Sequence, residues 1–371
     1  MSAVKYRTTF SAIALTLLAC GANAVDVAST IPQEEAVLEM RADGGAEGMQ
    51  DVVGLALRAD SSVVVGDAAA AQVVQINSAG TVVVRAGRKG SLSGEYQRLQ
   101  WVGLCDDSVT LVHDIALSRL SVVGDKMQPL SSRTIPKAFD SRDVNGCLPN
   151  SRVLILNDSL SYKVNGVFRR PLSLVAFNWK TGKADTLRKF AGPQINFVRK
   201  LGTAIAVPMG TRTHVSTIAN SILVAESDQD SLWRYDGSAW RSIALQKLPT
   251  AQATTAIDDQ RARLALSWAP RTAQDRAFAP QLLAETQTAK TGPRIDGLVG
   301  SDDGTAWVAL KPNADGKREW IGYNAQGQPT GSAKFVWTFE PRAIRGATWW
   351  GIERDSIGVE SVVRYRVNAK N

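Results

Sequence analysis

The stretch that decides the fold runs Ser301-Asp-Asp-Gly-Thr-Ala-Trp-Val-Ala-Leu-Lys-Pro-Asn-Ala-Asp-Gly-Lys-Arg-Glu-Trp-Ile-Gly-Tyr-Asn-Ala-Gln-Gly-Gln-Pro-Thr-Gly331. Asp303-Gly304 makes a turn ahead of Trp307-Val308. Asp315-Gly316 makes another ahead of Glu319–Tyr323, and the chain turns again over Asn324–Gly327. Short apolar, aromatic or β-branched runs bounded by Gly, Asp and Asn predict antiparallel strands joined by tight turns. The stretch therefore reads as most of one four-stranded sheet.

Working outward, the pattern recurs. Val52–Leu57, Val63–Val65, Val73–Ile76 and Val82–Val84 form one unit, and Trp101–Leu104, Val109–Val112, Leu120–Val123 and Met127–Leu130 a second. Val153–Leu156 and Leu174–Phe177 belong to a third. Ala204–Val207, Ile222–Ala225, Leu232–Tyr235 and Trp240–Ile243 make a fourth, residues 295 to 335 the fifth, and Ala343–Ile352 with Ser361–Val367 a partial sixth. Four-strand repeats of about 40–50 residues are the pattern of propeller blades, which need neighbours on both faces. The expectation is an all-β chain, a six-bladed β-propeller over residues 51–371, after a tether and lead-in over 25–50. A strand from before Val52 would close the ring. Between residues 254 and 289, Ala, Gln, Arg, Leu and Glu dominate, and Pro270 and Pro280 limit helix length, which predicts an insertion with short helices.

Arg85-Ala-Gly-Arg-Lys-Gly-Ser-Leu-Ser-Gly-Glu-Tyr96 carries Gly90, Gly94, Glu95 and Tyr96 at the spacing of a Gly-rich inter-blade stretch. It resembles the motif after the first blade in bacterial exported six-bladed β-propellers of the NHL-like and TolB-like kind. Ser93 stands where that family usually has proline. Ser62–Gly80 and Asp302–Val308 look like blades of the same family. Because many members have no established activity, the resemblance implies a fold and a compartment more than a reaction. Gly87–Gly94 precedes no evident helix, so it reads as a crossing between sheets and not as a phosphate cradle.

Lys5 and Arg7 ahead of the apolar run Phe10–Ala19 predict an export signal over residues 1–24, too short to span a bilayer. Two processing readings stand: Ala22-Asn23-Ala24 fits ordinary cleavage, and Leu17-Leu18-Ala19-Cys20 fits a lipobox with lipidation at Cys20. Both predict a periplasmic or outer-membrane-anchored protein that meets a membrane only through that lipid. The formal net charge is +8, but the basic residues lie scattered in pairs and triplets such as Arg169-Arg170, without a basic stripe. That pattern predicts solvated surface and no nucleic-acid partner. Cys105 and Cys147 fall at similar places in consecutive units, where a disulfide and two buried thiols are both open.

Acidic residues follow the second strand of several units: Asp67, Asp114, Asp158 and Glu226. They could approach the channel and hold Ca²⁺ through oxygen ligands, as in lactonase-like propeller enzymes, or cap their own turns. The fifth unit has Leu310-Lys311 in place of this acid. Only His113 and His214 are present, with no zinc spacing and no Gly-x-Ser-x-Gly elbow. Most of the ten tryptophans sit in strand patterns, but the adjacent Trp349 and Trp350 point opposite ways, so one of them is a candidate for a binding surface. The chain reads as a monomeric binding or scaffolding module for a protein, peptide or glycan, with no obligatory cofactor. The alternative is a Ca²⁺-dependent lactonase- or lyase-like enzyme.

Overall fold

A computed structural model describes residues 31–369 except 107–108, 140–142, 159–164, 200–202 and 219, and of 251–283 only 253, 255, 258 and 281. The expected export signal, Cys20 and most of the helical insertion lie outside the described residues.

The alternating runs fold as strands. β1 (Gln33–Ala42) precedes a sheet ordered β2 (Val52–Leu57), β3 (Val63–Asp67), β4 (Gln72–Ile76), β5 (Val82–Ala86). The next sheet is β6 (Leu99–Cys105), β7 (Val109–Asp114), β8 (Arg119–Val123), β9 (Pro129–Thr134). A five-stranded sheet follows: β10 (Asp143–Leu148), β11 (Arg152–Asp158), β12 (Gly166–Asn178), β13 (Ala184–Val198), β14 (Thr203–Ala206). Then come β15 (Thr213–Ile218), β16 (Ser221–Glu226), β17 (Ser231–Tyr235), β18 (Trp240–Ala244). β19 (Gly297–Gly300), β20 (Ala306–Ala309), β21 (Lys317–Tyr323) and β22 (Pro329–Val336) arise from the pattern stretch, and β23 (Phe339–Arg345), β24 (Thr348–Arg354) and β25 (Glu360–Ala369) end the chain. These last strands share one sheet ordered β19-β20-β21-β22-β1-β25-β24-β23, joined where β1 runs parallel to β22 at Gln33 and Ser332.

The first strands touch in cyclic order. β2 packs on β6, β6 on β10, β10 on β15, β15 on β19, β19 on β23, and β23 returns to β2. This is the arrangement of a β-propeller. Each sheet is covered on both faces, which explains why its second strand is apolar without alternation. In β3, Val63 and Val65 pack with Trp350 and Ile352, while Val64 turns the other way onto Val102 and Val112. Fully burying such a side chain is worth about 1.5–3 kcal/mol.

The described part of the lead-in, residues 31–50, is more than a tether. β1 pairs antiparallel with β25 from Glu34 opposite Ala369 to Ala42 opposite Val362, and so completes the last four-strand run. Glu39 binds Arg364 at 3.1 Å and Arg366 at 2.5 Å across that seam. Three strand expectations are corrected. Ala204–Val207 does not open the fourth unit: β14 is the outer strand of the third sheet, and β15 opens the fourth. Met127 sits in a turn at φ 59°, so β9 starts later, and Ala343–Ile352 is two strands parted by a turn at Gly346.

Cys105 and Cys147, on the neighbouring strands β6 and β10, are joined in a disulfide with Cα atoms 5.3 Å apart. The Gly-rich stretch forms the crossing from β5 to β6. Glu95 accepts the Leu92 N–H at 3.0 Å and the Arg88 guanidinium at 2.9 Å, and Tyr96 is buried. Gly90 leaves room for the Glu95 carboxylate, which a Cβ would strike at 2.1 Å.

Candidate functional site

The inner strands surround a channel with a cavity of about 860 Å³, to which β2, β6, β10, β15 and β19 all contribute. At the end where β15, β19 and β23 begin, the channel is continuous with a chamber of about 680 Å³. Asn145, Val215, Leu298 and Arg342 line both spaces.

The chamber is rich in arginine, contributed from strand ends. Arg318 of β21 binds Asp296 at 2.9 Å. Glu340 of β23 receives Arg342 at 2.9 Å and Arg354 of β24 at 3.0 Å, and Arg354 reaches on to Glu360 at 2.7 Å. Burial opposes the charge on Glu340, but Arg342, Arg354 and Arg318 outweigh it and hold the carboxyl below its usual range. Glu360 shows the opposite balance: burial pushes it up, although Arg354 and the Val52 N–H favour its charged form. On another wall Asp258 is buried, accepts the Thr255 N–H at 2.8 Å and meets Lys311 at 2.5 Å. Lys311 therefore answers a carboxylate from the segment before β19, in a position where other units carry an acid.

Arg212 and His214 flank the start of β15. Burial, and then the Arg212 charge, push His214 down to about 4, so its ring is neutral near pH 7. The ring bonds to the Ile295 backbone, and Nε2 is buried without a partner. The chamber residues Asn145 (Oδ1), Arg318 (Nε) and Trp320 (Nε1) also hold buried atoms without partners. Atoms of this kind also occur elsewhere, as at His113 Nε2 and Tyr323 OH, but four of them lie on residues that line this one cavity, where a polar ligand could answer them.

The carboxylates singled out from the sequence do not meet. Asp67 accepts the Ala70 N–H at 3.1 Å, and Asp114 accepts four backbone N–H groups, from Gln97, Arg98, Ala116 and Leu117. Asp158 binds Arg170 at 2.5 Å, and Glu226 binds Arg169 at 3.4 Å. None of the four lines the channel or the chamber. The reason is radial: each ends the second strand of its sheet, about 4.8 Å outward from the strand that faces the channel. Among the described residues no three His, Cys, Asp or Glu are grouped to hold a metal ion.

The expected surface role of Trp349 or Trp350 is also corrected, because both are fully buried. Opposite orientations do not expose either ring when neighbouring sheets cover both faces. His113 is buried as well, with Nδ1 2.9 Å from Gln100 Oε1, and burial depresses it to about 4. Sequence reading passed over Arg212, Asp296, Arg318, Glu340, Arg342 and Arg354. The available signal was charge near the ends of strands, on the inner strands and on β21 and β24, which is readable only once those strands are assigned.

No family model and no curated relative matches the chain. Among solved structures, it is similar to a member of the DUF4221 family from Bacteroides vulgatus, with 10% identity, 92% of this chain and 98% of that chain covered, and a TM-score of 0.51. A gluconolactonase from Xanthomonas campestris has 8% identity over 85% of this chain and 86% of that chain, with a TM-score of 0.46. Virginiamycin B lyase from Staphylococcus aureus has 11% identity over 91% and 89%, with a TM-score of 0.42. The likeness to the first shows a shared fold. That fold is the β-propeller.

Proposed function

We propose that the chain is an exported, six-bladed propeller that acts as a monomeric binding module of the cell envelope and takes its ligand in the Arg-rich chamber. Counting the eight-stranded sheet as two blades joined through β1, the cyclic contacts of the inner strands support a ring of six. The resemblance to NHL-like and TolB-like propellers and the N-terminal signal pattern support the compartment. The observation that carries the binding reading is the chamber: its volume of about 680 Å³ suits a ligand site, and ion pairs already fix most of its charged walls. The ligand is a protein segment, peptide or glycan of the envelope. A Ca²⁺-dependent enzyme finds less support, because Asp67, Asp114, Asp158 and Glu226 are engaged locally, away from the channel.

The test is NMR titration of the full mature chain with envelope peptides and glycan fragments, following the indole signals of Trp320 and Trp337 in the chamber. Saturable shifts concentrated there support the reading. Shifts only at a remote face, or none from any of these ligand classes, overturn it.

A further inference from the structure

We propose that the chamber selects a carboxylate with neighbouring hydroxyls, a sugar acid or hydroxy acid, whose carboxylate binds Arg212 and whose hydroxyl donates to His214 Nε2. This rests on the chamber being the ligand site.

The charge comes first. Each acid of the chamber wall already has a cation: Asp296 has Arg318, Glu340 has Arg342 and Arg354, and Asp258 has Lys311. Arg212 lines the same chamber and has no ion-pair partner among the described residues, although its backbone is fixed by reciprocal bonds with Ser227. Glu360 takes a share of Arg354 at 2.7 Å, so with His214 neutral one positive charge, that of Arg212, is left uncompensated. A guanidinium fork matches a single carboxylate in shape and charge, whereas a dianion would need a second free cation.

The hydroxyl requirement comes from the acceptors. His214 bonds to the Ile295 backbone through its ring, so the unpartnered Nε2 presents a lone pair. That atom repels a carboxylate and accepts an O–H. Asn145 Oδ1 is a second unpartnered acceptor, while Arg318 Nε and Trp320 Nε1 are unpartnered donors. Donors and acceptors together around one free cation describe a polyhydroxylated monoanion. Arg212 and His214 are two residues apart where β15 begins, and extended backbone sends such residues to the same face. One ligand can therefore reach both.

The experiment measures binding of D-glucuronate, lactate, cyclohexanecarboxylate and D-glucose to the full mature chain by calorimetry, with the Trp320 indole signal as a local reporter. Glucuronate or lactate should bind at least tenfold more tightly than cyclohexanecarboxylate, which has the charge without hydroxyls, and than glucose, which has hydroxyls without the charge. Preference for glucuronate over lactate assigns a sugar acid, and the reverse assigns a small hydroxy acid. Arg212→Gln should weaken binding at least tenfold with unchanged melting temperature, and His214→Phe should erase the preference over cyclohexanecarboxylate. The comparison of ligands on the unaltered protein stands even if His214→Phe does not fold. Equal binding of glucose and glucuronate, no effect of Arg212→Gln, or no binding of either hydroxy acid at millimolar concentration overturns the inference. If peptides or neutral glycans still shift the Trp320 signal, the broader binding reading survives that failure; if nothing shifts it, both fall.

Discussion

Trp349 and Trp350 are consecutive in β24 yet belong to different cores. Trp349 lies 4.7 Å from Trp307 and 4.8 Å from Phe335, ring centre to ring centre, whereas Trp350 packs with Val63, Val65 and Ile352 beneath the Arg364 guanidinium. One strand thus fastens two neighbouring sheets. Trp349→Ala and Trp350→Ala should each cost about 3–5 kcal/mol in denaturant unfolding, since each deletes a large, fully buried ring. A cost below about 1 kcal/mol for either would contradict the packing.

The Cys105–Cys147 bond closes a loop with a sequence separation of 42 residues. The chain-entropy relation gives about 4 kcal/mol for a loop of that size. Reduction, or the double substitution to serine, should lower the melting temperature substantially while leaving the circular dichroism of the folded protein unchanged. An unchanged melting temperature would show that the bond adds nothing to the inter-sheet contact.

Gly54 and Gly48 offer a matched comparison. Both have positive φ, +66° and +68°, but a Cβ on Gly54 would lie 2.2 Å from the Val102 nitrogen while one on Gly48 meets nothing within 4 Å. Gly48→Ala should cost about 1–2 kcal/mol for the backbone conformation alone. Gly54→Ala should cost at least about 1–3 kcal/mol more, because β2 and β6 must part. Equal costs would mean that the two strands separate freely.

Acid should destabilise the protein through its two histidines. Both are depressed to about 4 by burial, so between the ordinary histidine pKa, about 6.5, and 4 the unfolded chain binds more protons than the folded one. Stability is then fully present above about pH 6.5 and falls as pH drops toward 4, by up to about 3 kcal/mol per histidine. Asp51 and Glu360, whose carboxyls burial pushes up, act in the opposite sense at the acid end of that window. Melting temperatures from pH 7.5 to 4.5 check the direction, and His113→Gln should flatten the slope.

Removing the residues before Asp43 takes away β1 and leaves β25 with an open edge. The shortened chain should lose cooperative unfolding or associate through that edge, and a peptide of residues 31–42 should restore a single transition. Full stability without β1 would show that the ring closes by side-chain packing alone.

The legible part of the fold was that encoded locally. Asp303-Gly304, Asp315-Gly316 and Asn324–Gly327 mark turns in the sequence and are turns in the structure, because their chemistry is decided by a few adjacent residues. The apolar second strands were equally clear, since both of their faces are buried. Among the inner strands β2 and β6 were legible, but two others were not: β10 reads Asp-Val-Asn-Gly-Cys-Leu and β15 reads Thr-His-Val-Ser-Thr-Ile, polar because they border the channel. Passing over β15 shifted the fourth unit onto β14 and hid Arg212 and His214 at its start.

By itself the sequence determined the strand alternation, the turn positions and the even spacing of the units, for these depend on side-chain period and backbone preference over short distances. It also placed Cys105 and Cys147 at like positions in successive units, although only the approach of β6 to β10 bonds them. Tertiary structure decided the chamber. Asn145, Arg212, Asp296, Arg318, Glu340 and Arg354 come from three sheets and from distant points along the chain, and meet only when the ring closes. The acids that looked alike in sequence stay apart, because repetition around an axis holds them at one radius, each within its own sheet. The channel end instead collects charges that share no pattern in the chain, and that convergence is a property of closure.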